Sequence, residues 1–271
     1  MVDLLPVVKG RHGIRRGLRR LNLRGWCLPL GGLLILESTV RLGVIPAWVM
    51  PPPSDVLLSF AELARGDLWP HILASGLRVL AGFTIGSLLG LLVGSLVGLR
   101  RDLEAWIDPL CQALRAVPGL AWVPLLLIWL GIDESAKITL IAIGAFFPVY
   151  LNLVAGIRNV DHKLIELGAL YPMSRLQLAR RIVLPAASPY LFTGLRSALS
   201  MSWLCVVAAE LLAATRGIGY LLTDGRETSR PDLVLVAIIT LAIMGKLTDS
   251  LLKGLERRAL AWRDNFPGEG Q

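Results

Sequence analysis

The stretch DHKLIELGALYPMSRLQLARRIVLPAASP, residues 161–189, decides how the rest of the chain is interpreted. It is a polar, basic island between two apolar runs, so we expect it to lie in water beside a membrane. Apolar or small residues recur three or four positions apart, which predicts a short helix with one apolar face: Leu164, Leu167, Gly168 and Tyr171. Ser174, followed three residues later by Gln177, predicts a capping box at the start of a second short helix. Such a pair of helices, projecting from a membrane protein, is suited to dock into a groove.

The composition of the chain indicates a polytopic membrane protein. Hydrophobic residues make up 54% of its 271 residues, the mean hydropathy is +0.62, and several apolar runs approach the length of a membrane span. The net charge of +8 would suit a nucleic-acid partner, but the Lys and Arg residues cluster in the connecting segments. Of these residues, 18 fall in the segments expected inside and 5 in those expected outside, which predicts that both termini are cytoplasmic and argues against nucleic-acid binding.

The apolar runs predict an all-α fold with six transmembrane helices. The predicted spans are residues 26–45, 73–99, 109–131, 137–157, 190–213 and 233–252. The chain then divides into a basic cytoplasmic arm that could form an interfacial helix, a first helix with an external segment, a core transmembrane domain that includes 161–189, and a cytoplasmic tail: residues 1–25, 26–70, 71–254 and 255–271.

Three spans carry features that predict how they pack. Glu37 and Arg41 are one helical turn apart in the first span and can pair there. The second span has a glycine at every fourth position, which predicts close contact with another helix or, alternatively, a glycine-lined substrate path: Gly82, Gly86, Gly90, Gly94 and Gly98. In the third span, Pro118, Gly119 and Pro124 predict a broken helix.

The sequence motifs argue against catalysis by this chain. No GxxxxGK[ST], HExxH or GxSxG pattern occurs, and His12, His71 and His162 are scattered. The cysteines Cys27, Cys111 and Cys205 all lie in apolar runs without paired spacing. We therefore expect no catalytic residue, no cofactor and no metal in this chain, and any energy for transport must come from a partner.

The 161–189 stretch also resembles a known family. Glu166, the small residue two positions later, Gln177 and the IVLP run that ends in Pro185 resemble the cytoplasmic EAA loop of importer-type ABC transporter permeases. The stretches LWPHILAS (68–75), LRAVPGLAWVPLLLIWLGIDESAKI (114–138), VAAELLAATRGIGYLL (207–222) and MGKLTDSLLKGLERR (244–258) resemble permeases for aliphatic sulfonates, with taurine and nitrate permeases as close relatives. The usual glycine of the loop is replaced by Pro172, which cannot adopt the left-handed conformation.

The resemblance implies an importer with separate partners. Two copies of the permease enclose a path, an external binding protein delivers the substrate, and two cytoplasmic ATPase subunits bind ATP and Mg²⁺. The expected location is the inner membrane of a bacterium, with lipid around the spans. The resemblance assigns coupling to the ATPases to nine residues: Glu166, Leu167, Gly168, Tyr171, Pro172, Ser174, Gln177, Leu184 and Pro185. In it, Glu166 makes polar contacts with the ATPase, and a glycine at position 168 keeps its helix close to a partner.

Four residues are candidates for the substrate path: Arg115, Asn152, Trp203 and Glu210. Arg115 would attract an anion, or it extends to the inner interface as an arginine at a helix end. Glu210 would repel an anion, so we expect it to pair with Arg216 or another base in an outer gate.

Several alternatives stay open from the sequence. Taurine, nitrate, bicarbonate or a thiamine-precursor pyrimidine are alternative substrates within the same family. An ion-coupled secondary transporter would show intramembrane acids and an inverted repeat, and no convincing repeat is present. A membrane-embedded enzyme would need a catalytic constellation, which the sequence lacks.

Overall fold

The computed structural model describes residues 23–171 and 173–262, and within these ranges the chain is helical and has no β-strand. Eleven α-helices follow one another: α1 (Leu23–Arg41), α2 (Pro53–Ala64), α3 (Leu68–Leu99), α4 (Arg101–Ala116), α5 (Val123–Leu130), α6 (Glu134–Arg158), α7 (His162–Ala169), α8 (Arg175–Leu178), α9 (Leu184–Ala213), α10 (Ile218–Glu227) and α11 (Pro231–Ala259). The predicted arm, residues 1–25, lies outside the described residues for all but its last three positions, and residues 263–271 of the tail lie outside them as well.

The core of the bundle is formed by α3, α6 and α9. Helix α6 lies between the other two, and its buried side chains include Tyr150, Leu140 and Ile141. The regular glycines of α3 all face α6: Gly82, Gly86, Gly90, Gly94 and Gly98. A Cβ atom added at Gly86 would lie 2.9 Å from the Ala145 Cβ, closer than carbon atoms pack. The stripe therefore lets the two backbones approach each other over almost their whole length.

Four helices are long and apolar enough to cross a membrane, counting only described residues: Leu68–Leu99, Glu134–Arg158, Leu176–Leu212 and Pro231–Ala259. A fifth span arises if α4 and the segment Gly119–Leu130 are taken together. Helix α1, which has 19 residues and contains Glu37 and Arg41, is not among them. The six-span count and the orientation of the termini are therefore not confirmed, whereas the polytopic all-α class is.

The predicted break in the third span is present, with a sharper geometry than expected. Helix α4 ends at Ala116, a 3₁₀ turn covers Gly119–Trp122, and α5 continues from Val123 at an angle of 92° to α4. Pro124 does not interrupt a helix, as the sequence analysis supposed, because it lies in the first turn of α5, where its missing N–H has no intrahelical role. The break comes from Pro118, which precedes the 3₁₀ turn.

The predicted pair in the first span is confirmed. Arg41 Nε donates to Glu37 Oε1 at 2.6 Å. The other oxygen of the carboxylate accepts from the Ser54 backbone N–H at 3.0 Å. Because Ser54 lies in the first turn of α2, Glu37 also satisfies an otherwise unpaired amide at the start of that helix.

Helix α9 begins earlier than predicted. The sequence predicts that the fifth span starts at residue 190, but helical backbone runs without interruption from Leu176 to Leu212. A five-residue π-helical turn, Ala179–Val183, joins α8 to α9. Pro185 is the second residue of α9, directly after the π-helical turn, and Pro189 lies inside the helix. The second short helix of the 161–189 segment is thus the first turn of a long span.

Candidate functional site

Two regions at opposite ends of the core carry the candidate functional residues. The 161–189 segment follows the C-terminal end of α6 and leads into the N-terminal end of α9. At the other end, the N-terminal ends of α3 and α6 meet the C-terminal end of α9 and the start of α10. There lies a set of hydrogen-bonded side chains that we call the Arg78 cluster: His71, Ser75, Arg78, Glu134, Lys137 and Glu210.

The 161–189 segment contains the two predicted short helices, α7 and α8. The capping box is confirmed: Gln177 Oε1 accepts from the Ser174 N–H at 2.8 Å, and Ser174 Oγ accepts from the Gln177 N–H at 3.3 Å. Each side chain thus satisfies a backbone donor of the other residue. This local exchange fixes the start of α8, which the segment needs because α8 is only four residues long.

The coupling candidates of this segment differ in exposure. Glu166 and Tyr171 are exposed, with Tyr171 67% accessible. Leu164, Leu170 and Leu176 also expose apolar side chains. The side chain of Leu167 and the whole of Pro172 lie outside what the structure describes. Of the two residues at the end of the segment, Leu184 is half-buried and Pro185 is exposed.

Gly168 is buried inside the segment and does not reach its surface. A Cβ atom at this position would meet the ends of the Leu178 and Ile182 side chains. The absence of a side chain therefore lets α7 lie close to the helix that follows α8. Beside it is a groove of about 340 Å³, whose lining includes Tyr171, Arg181 and, from the other end of the chain, Trp262.

The four path candidates do not come together in one place. Arg115 is exposed in the last turn of α4, just before the break. Asn152 donates from Nδ2 to the Pro148 carbonyl at 2.8 Å, one turn back along α6. Trp203 is buried between helices, and its Nε1 donates to Thr248 Oγ1 of α11 at 3.0 Å.

Glu210, the fourth candidate, is fully buried at the centre of the Arg78 cluster. Its Oε1 accepts from Arg78 Nη1 at 2.7 Å, and its Oε2 accepts from the Gly219 N–H at 2.8 Å. Ser75 Oγ lies 2.8 and 2.9 Å from the two oxygens and donates to the carboxylate. The base expected beside Glu210 is thus Arg78; Arg216 contributes only its backbone carbonyl, which accepts from Arg78 Nη1 at 2.6 Å.

Arg78 binds a second carboxylate on its other edge. Its Nε and Nη2 donate to the two oxygens of Glu134 at 2.5 and 2.7 Å. Lys137 Nζ adds a donor to Glu134 at 2.9 Å. The planar guanidinium fork suits this paired contact, which an ammonium group cannot reproduce. One arginine therefore joins α3, α6 and α9.

The cluster is balanced in charge. Arg78 and Lys137 carry two positive charges, and Glu134 and Glu210 carry two negative charges. Each buried charge has a partner of opposite sign within 3 Å, which is the condition for keeping ions inside a protein. No uncompensated positive charge is left to bind an anionic substrate here.

The chemistry available to the cluster is structural. Ser75 is fully buried, and its hydroxyl donates to the Glu210 carboxylate and accepts from the Ile218 N–H at 2.8 Å, so it is engaged on both sides and out of reach of a substrate. His71 Nδ1 contacts the backbone of Gly217, at 3.0 Å from its nitrogen and 3.1 Å from its carbonyl oxygen. Among the described residues, no group of His, Cys, Asp and Glu could bind a metal ion.

Sequence reasoning missed most of this cluster. His71 was noted only as scattered, and Ser75, Arg78, Glu134 and Lys137 were not singled out. A signal was present, because Arg78 is a charge inside an otherwise apolar helix, and intramembrane charges mark functional or paired positions. Its partners could not be found from spacing, since they lie 56 and 132 residues away along the chain.

Comparisons with known proteins agree with this architecture. The model of the family described as "Binding-protein-dependent transport system inner membrane component" matches residues 86–260. The chain is 42% identical to the "Putative aliphatic sulfonates transport permease protein SsuC" of Bacillus subtilis, over 91% of this chain and 90% of that protein. It is 35% identical to the taurine transport system permease protein TauC of Escherichia coli, over 87% and 89%.

A solved structure has the same fold. A chain of the methionine ABC transporter MetNI, in an inward-facing conformation, superimposes with a TM-score of 0.62 at 19% identity. The match covers 73% of this chain and 95% of that chain. The helices described above are therefore arranged as in that chain.

Proposed function

Because the chain belongs to the family of binding-protein-dependent transport system inner membrane components, and is the non-catalytic permease subunit of an ABC importer, we propose that it transports aliphatic sulfonates. The observation that carries this substrate is the 42% identity to SsuC over nine-tenths of both chains. Taurine is itself a sulfonate, and the lower identity to a taurine permease makes it the second candidate. Nitrate, bicarbonate and a pyrimidine precursor of thiamine rank below these two.

In this proposal the membrane part is a homodimer in the bacterial inner membrane. Each chain spans the membrane six times, with α1 as the first span and both termini in the cytoplasm. The basic character of the 161–189 segment supports its cytoplasmic location. Because Glu37 and Arg41 are paired at 2.6 Å, their cost inside a bilayer is reduced, which supports α1 as a span.

The 161–189 segment is proposed to dock one ATPase subunit per permease chain. Tyr171 and Glu166 offer an exposed aromatic side chain and a carboxylate on the same small projection. Aromatic residues that fill a partner's pocket contribute most to protein interfaces. Ser174, Gln177, Leu184 and Pro185 fix the backbone that presents them. ATP and Mg²⁺ are bound by the ATPases, and closure of the ATPases would draw the two segments together and open the path outward.

The substrate path is proposed to pass near Arg115 and Asn152. Arg115 is exposed beside the 92° bend, where its charge could meet an anion at the dimer axis. An anion path needs hydrogen-bonding groups without tight binding, because tight binding would oppose release. Trp203 and Glu210 lie inside the helical bundle, so their contribution to the path would be to fix the helices that line it.

The experiment that tests the substrate uses the whole importer. The permease is purified with the ATPase encoded beside it, reconstituted in liposomes, and its ATPase rate is measured with the external binding protein, unloaded or loaded with an alkanesulfonate, taurine or nitrate. We expect the strongest stimulation by the alkanesulfonate. Stimulation by nitrate alone would refute the sulfonate proposal and leave the importer intact.

A second measurement separates the importer from an ion-coupled transporter. The permease alone is placed in liposomes with a proton or sodium gradient and labelled alkanesulfonate. We expect no accumulation without the ATPases and ATP. Gradient-driven uptake by the permease alone would instead support a secondary transporter.

The docking role of the segment is tested by Tyr171→Ala. We expect the affinity for the ATPase to fall at least about tenfold, because an aromatic anchor at an interface contributes about 2 kcal/mol. Trp48→Ala is the matched control, since Trp48 is at least as exposed as Tyr171 and lies outside the segment. Equal ATPase recovery with both variants would exclude Tyr171 from the docking surface.

A further inference from the structure

We propose that the Arg78 cluster fixes α10 to the α3, α6 and α9 core, so that α10 moves with the core as one body during transport. Ser75, Arg78 and Glu134 are then positioning residues for α10. The inference rests on the proposed transport cycle. In that cycle the 161–189 segment is cytoplasmic, so α10, at the opposite end of the core, lies on the external side of the membrane.

The start of α10 is the first observation. A helix begins with N–H groups that have no partner in their own helix, and a side chain just before the helix normally accepts from one of them. Here the preceding residue is Gly217, which has no side chain to do so. Three consecutive N–H groups are instead accepted by other helices: Gly217 by His71, Ile218 by Ser75 and Gly219 by Glu210.

The acceptors that cap α10 belong to the core. His71 and Ser75 come from α3, and Glu210 comes from the end of α9. Ser75 and Glu210 are at most 1% exposed. Arg78 adds a bond in the opposite direction, from its Nη1 to the carbonyl of Arg216, at 2.6 Å. The backbone that enters α10 is therefore held by four hydrogen bonds to the core. One is accepted by the carbonyl of Arg216, and three are donated by the N–H groups of residues 217–219.

Close backbone packing forms a second attachment. A Cβ atom at Gly219 would lie 3.0 Å from the carbonyl oxygen of Val207 in α9. Near the other end of α10, a Cβ at Gly225 would lie 3.0 Å from the backbone nitrogen of Val234 in α11. The ring of Tyr220 also stacks on His71, with centroids 5.8 Å apart and planes within 4°. Helix α10 therefore contacts α3, α9 and α11 along its length.

The charges make separation of α10 unfavourable. If α10 left the core, Glu210 would lose the Gly219 donor, and three N–H groups would lose their acceptors inside a buried site. Buried polar groups without partners are destabilising, and a buried carboxylate most of all. If α10 opened and closed as a separate lid, this loss of hydrogen bonds would cost free energy in every transport cycle. If α10 moves with the core, the hydrogen bonds stay intact.

The first test compares two buried serines of α3 by hydrogen exchange in the purified importer. Ser75→Ala removes the acceptor of the Ile218 N–H and one donor to Glu210. Ser87→Ala is the matched control, because the Ser87 hydroxyl is buried in the same helix and has no hydrogen-bond partner. We expect exchange at residues 217–221 to become at least about tenfold faster with Ser75→Ala. Exchange there should be unchanged with Ser87→Ala.

Unchanged exchange at 217–221 in Ser75→Ala would overturn the proposal, as would equal acceleration by both variants. This test requires no substrate and no ATP. Its failure would therefore leave the importer and its substrate untouched, while failure of every sulfonate in the stimulation experiment would leave the exchange result standing.

The second test asks whether α10 must move relative to α3. The three native cysteines are replaced by alanine, and His71→Cys and Tyr220→Cys are joined by a short, reducible bis-thiosulfonate reagent. The unbridged double variant is the reference, and its stimulation by loaded binding protein is compared before bridging, after bridging and after reduction. We expect bridging to retain at least about half of the stimulation. A loss of stimulation that reduction restores would show that α10 is an independent lid and would refute the proposal.

Discussion

The Arg78 cluster and the 161–189 segment lie at opposite ends of one helical core and use polar and apolar groups in opposite ways. In the Arg78 cluster, Arg78, Lys137 and Glu210 are buried, Glu134 lies exposed at its edge, and every carboxylate oxygen has a donor from another helix. In the 161–189 segment, Glu166 is exposed, and so are Tyr171 and several leucines. Its internal side-chain hydrogen bonds connect residues two or three positions apart.

The Arg78 cluster finds its hydrogen-bond partners within the chain, whereas the 161–189 segment leaves side chains exposed that a partner could cover. Long-range hydrogen bonds between buried groups fix helices relative to one another and leave nothing for a partner. Exposed apolar side chains on two short helices provide a surface that another protein can cover. Substitutions should therefore affect folding at the first region and partner binding at the second.

The largest effect on stability is expected from Arg78→Met. The variant keeps side-chain volume but leaves Glu210 buried without a cation, and removal of one partner of a buried ion pair costs about 3–5 kcal/mol. Arg181→Met is the control at the other end, where Arg181 is exposed and the change should stay within about 0.5 kcal/mol. Thermal unfolding of the purified chain in detergent measures both. Equal thermal unfolding midpoints for the two variants would contradict the expected difference between the two regions.

A smaller difference is expected from the same substitution at one glycine in each region. Gly217 has a φ of +140°, and a Cβ atom there would collide with the Glu210 carboxylate. Gly217→Ala should therefore cost about 1–3 kcal/mol through strain alone. Gly168→Ala meets only the flexible ends of Leu178 and Ile182, so we expect less than about 1 kcal/mol. Unfolding in denaturant compares the two, and a larger loss at Gly168 would contradict the comparison.

The smallest effect is expected from Ser174→Ala. Loss of the capping hydrogen bond should lower the stability of the segment by about 1 kcal/mol, with little change in global unfolding because α8 is exposed. Hydrogen exchange at residues 175–178 measures it, with Ser174→Thr as the variant that keeps the hydroxyl. A fall in the global midpoint as large as that of Arg78→Met would show that the segment belongs to the folding core.

Local features of the fold could be predicted from the sequence, because their partners are near in the chain or repeat regularly. The capping box of Ser174 and Gln177 spans three residues, and the Glu37–Arg41 pair spans one turn. The glycine repeat of α3 predicted close packing, although the identity of α6 as the partner needed the structure. Each of these depends on helical spacing alone.

The Arg78 cluster could not be predicted in the same way. It joins residues from three helices and a turn, and the Ser75–Glu210 bond spans 135 positions. Glu210 was selected for its charge, and a base was expected beside it, but Arg216 was nearer in sequence. The observed base is Arg78, because the turn directs only the carbonyl of Arg216 toward the cluster. Proline was an incomplete guide: Pro118 precedes the break in the third predicted span, whereas Pro124 lies in the first turn of α5, where proline starts a helix as readily as it breaks one.

The uninterrupted helix from Leu176 to Leu212 has a mechanical consequence. Ser174 and Gln177 stabilise its beginning, and Glu210 lies near its end, so the same rod passes through both regions compared above. At 1.5 Å per residue, the rod is roughly 50 Å long from Gln177 to Glu210. Pivoted near one end, a tilt of about 5° would displace the other end by roughly 4 Å over that length. The chain thus contains a lever arm from the 161–189 segment to the Arg78 cluster, in which one continuous helical run carries the movement from one end of the core to the other.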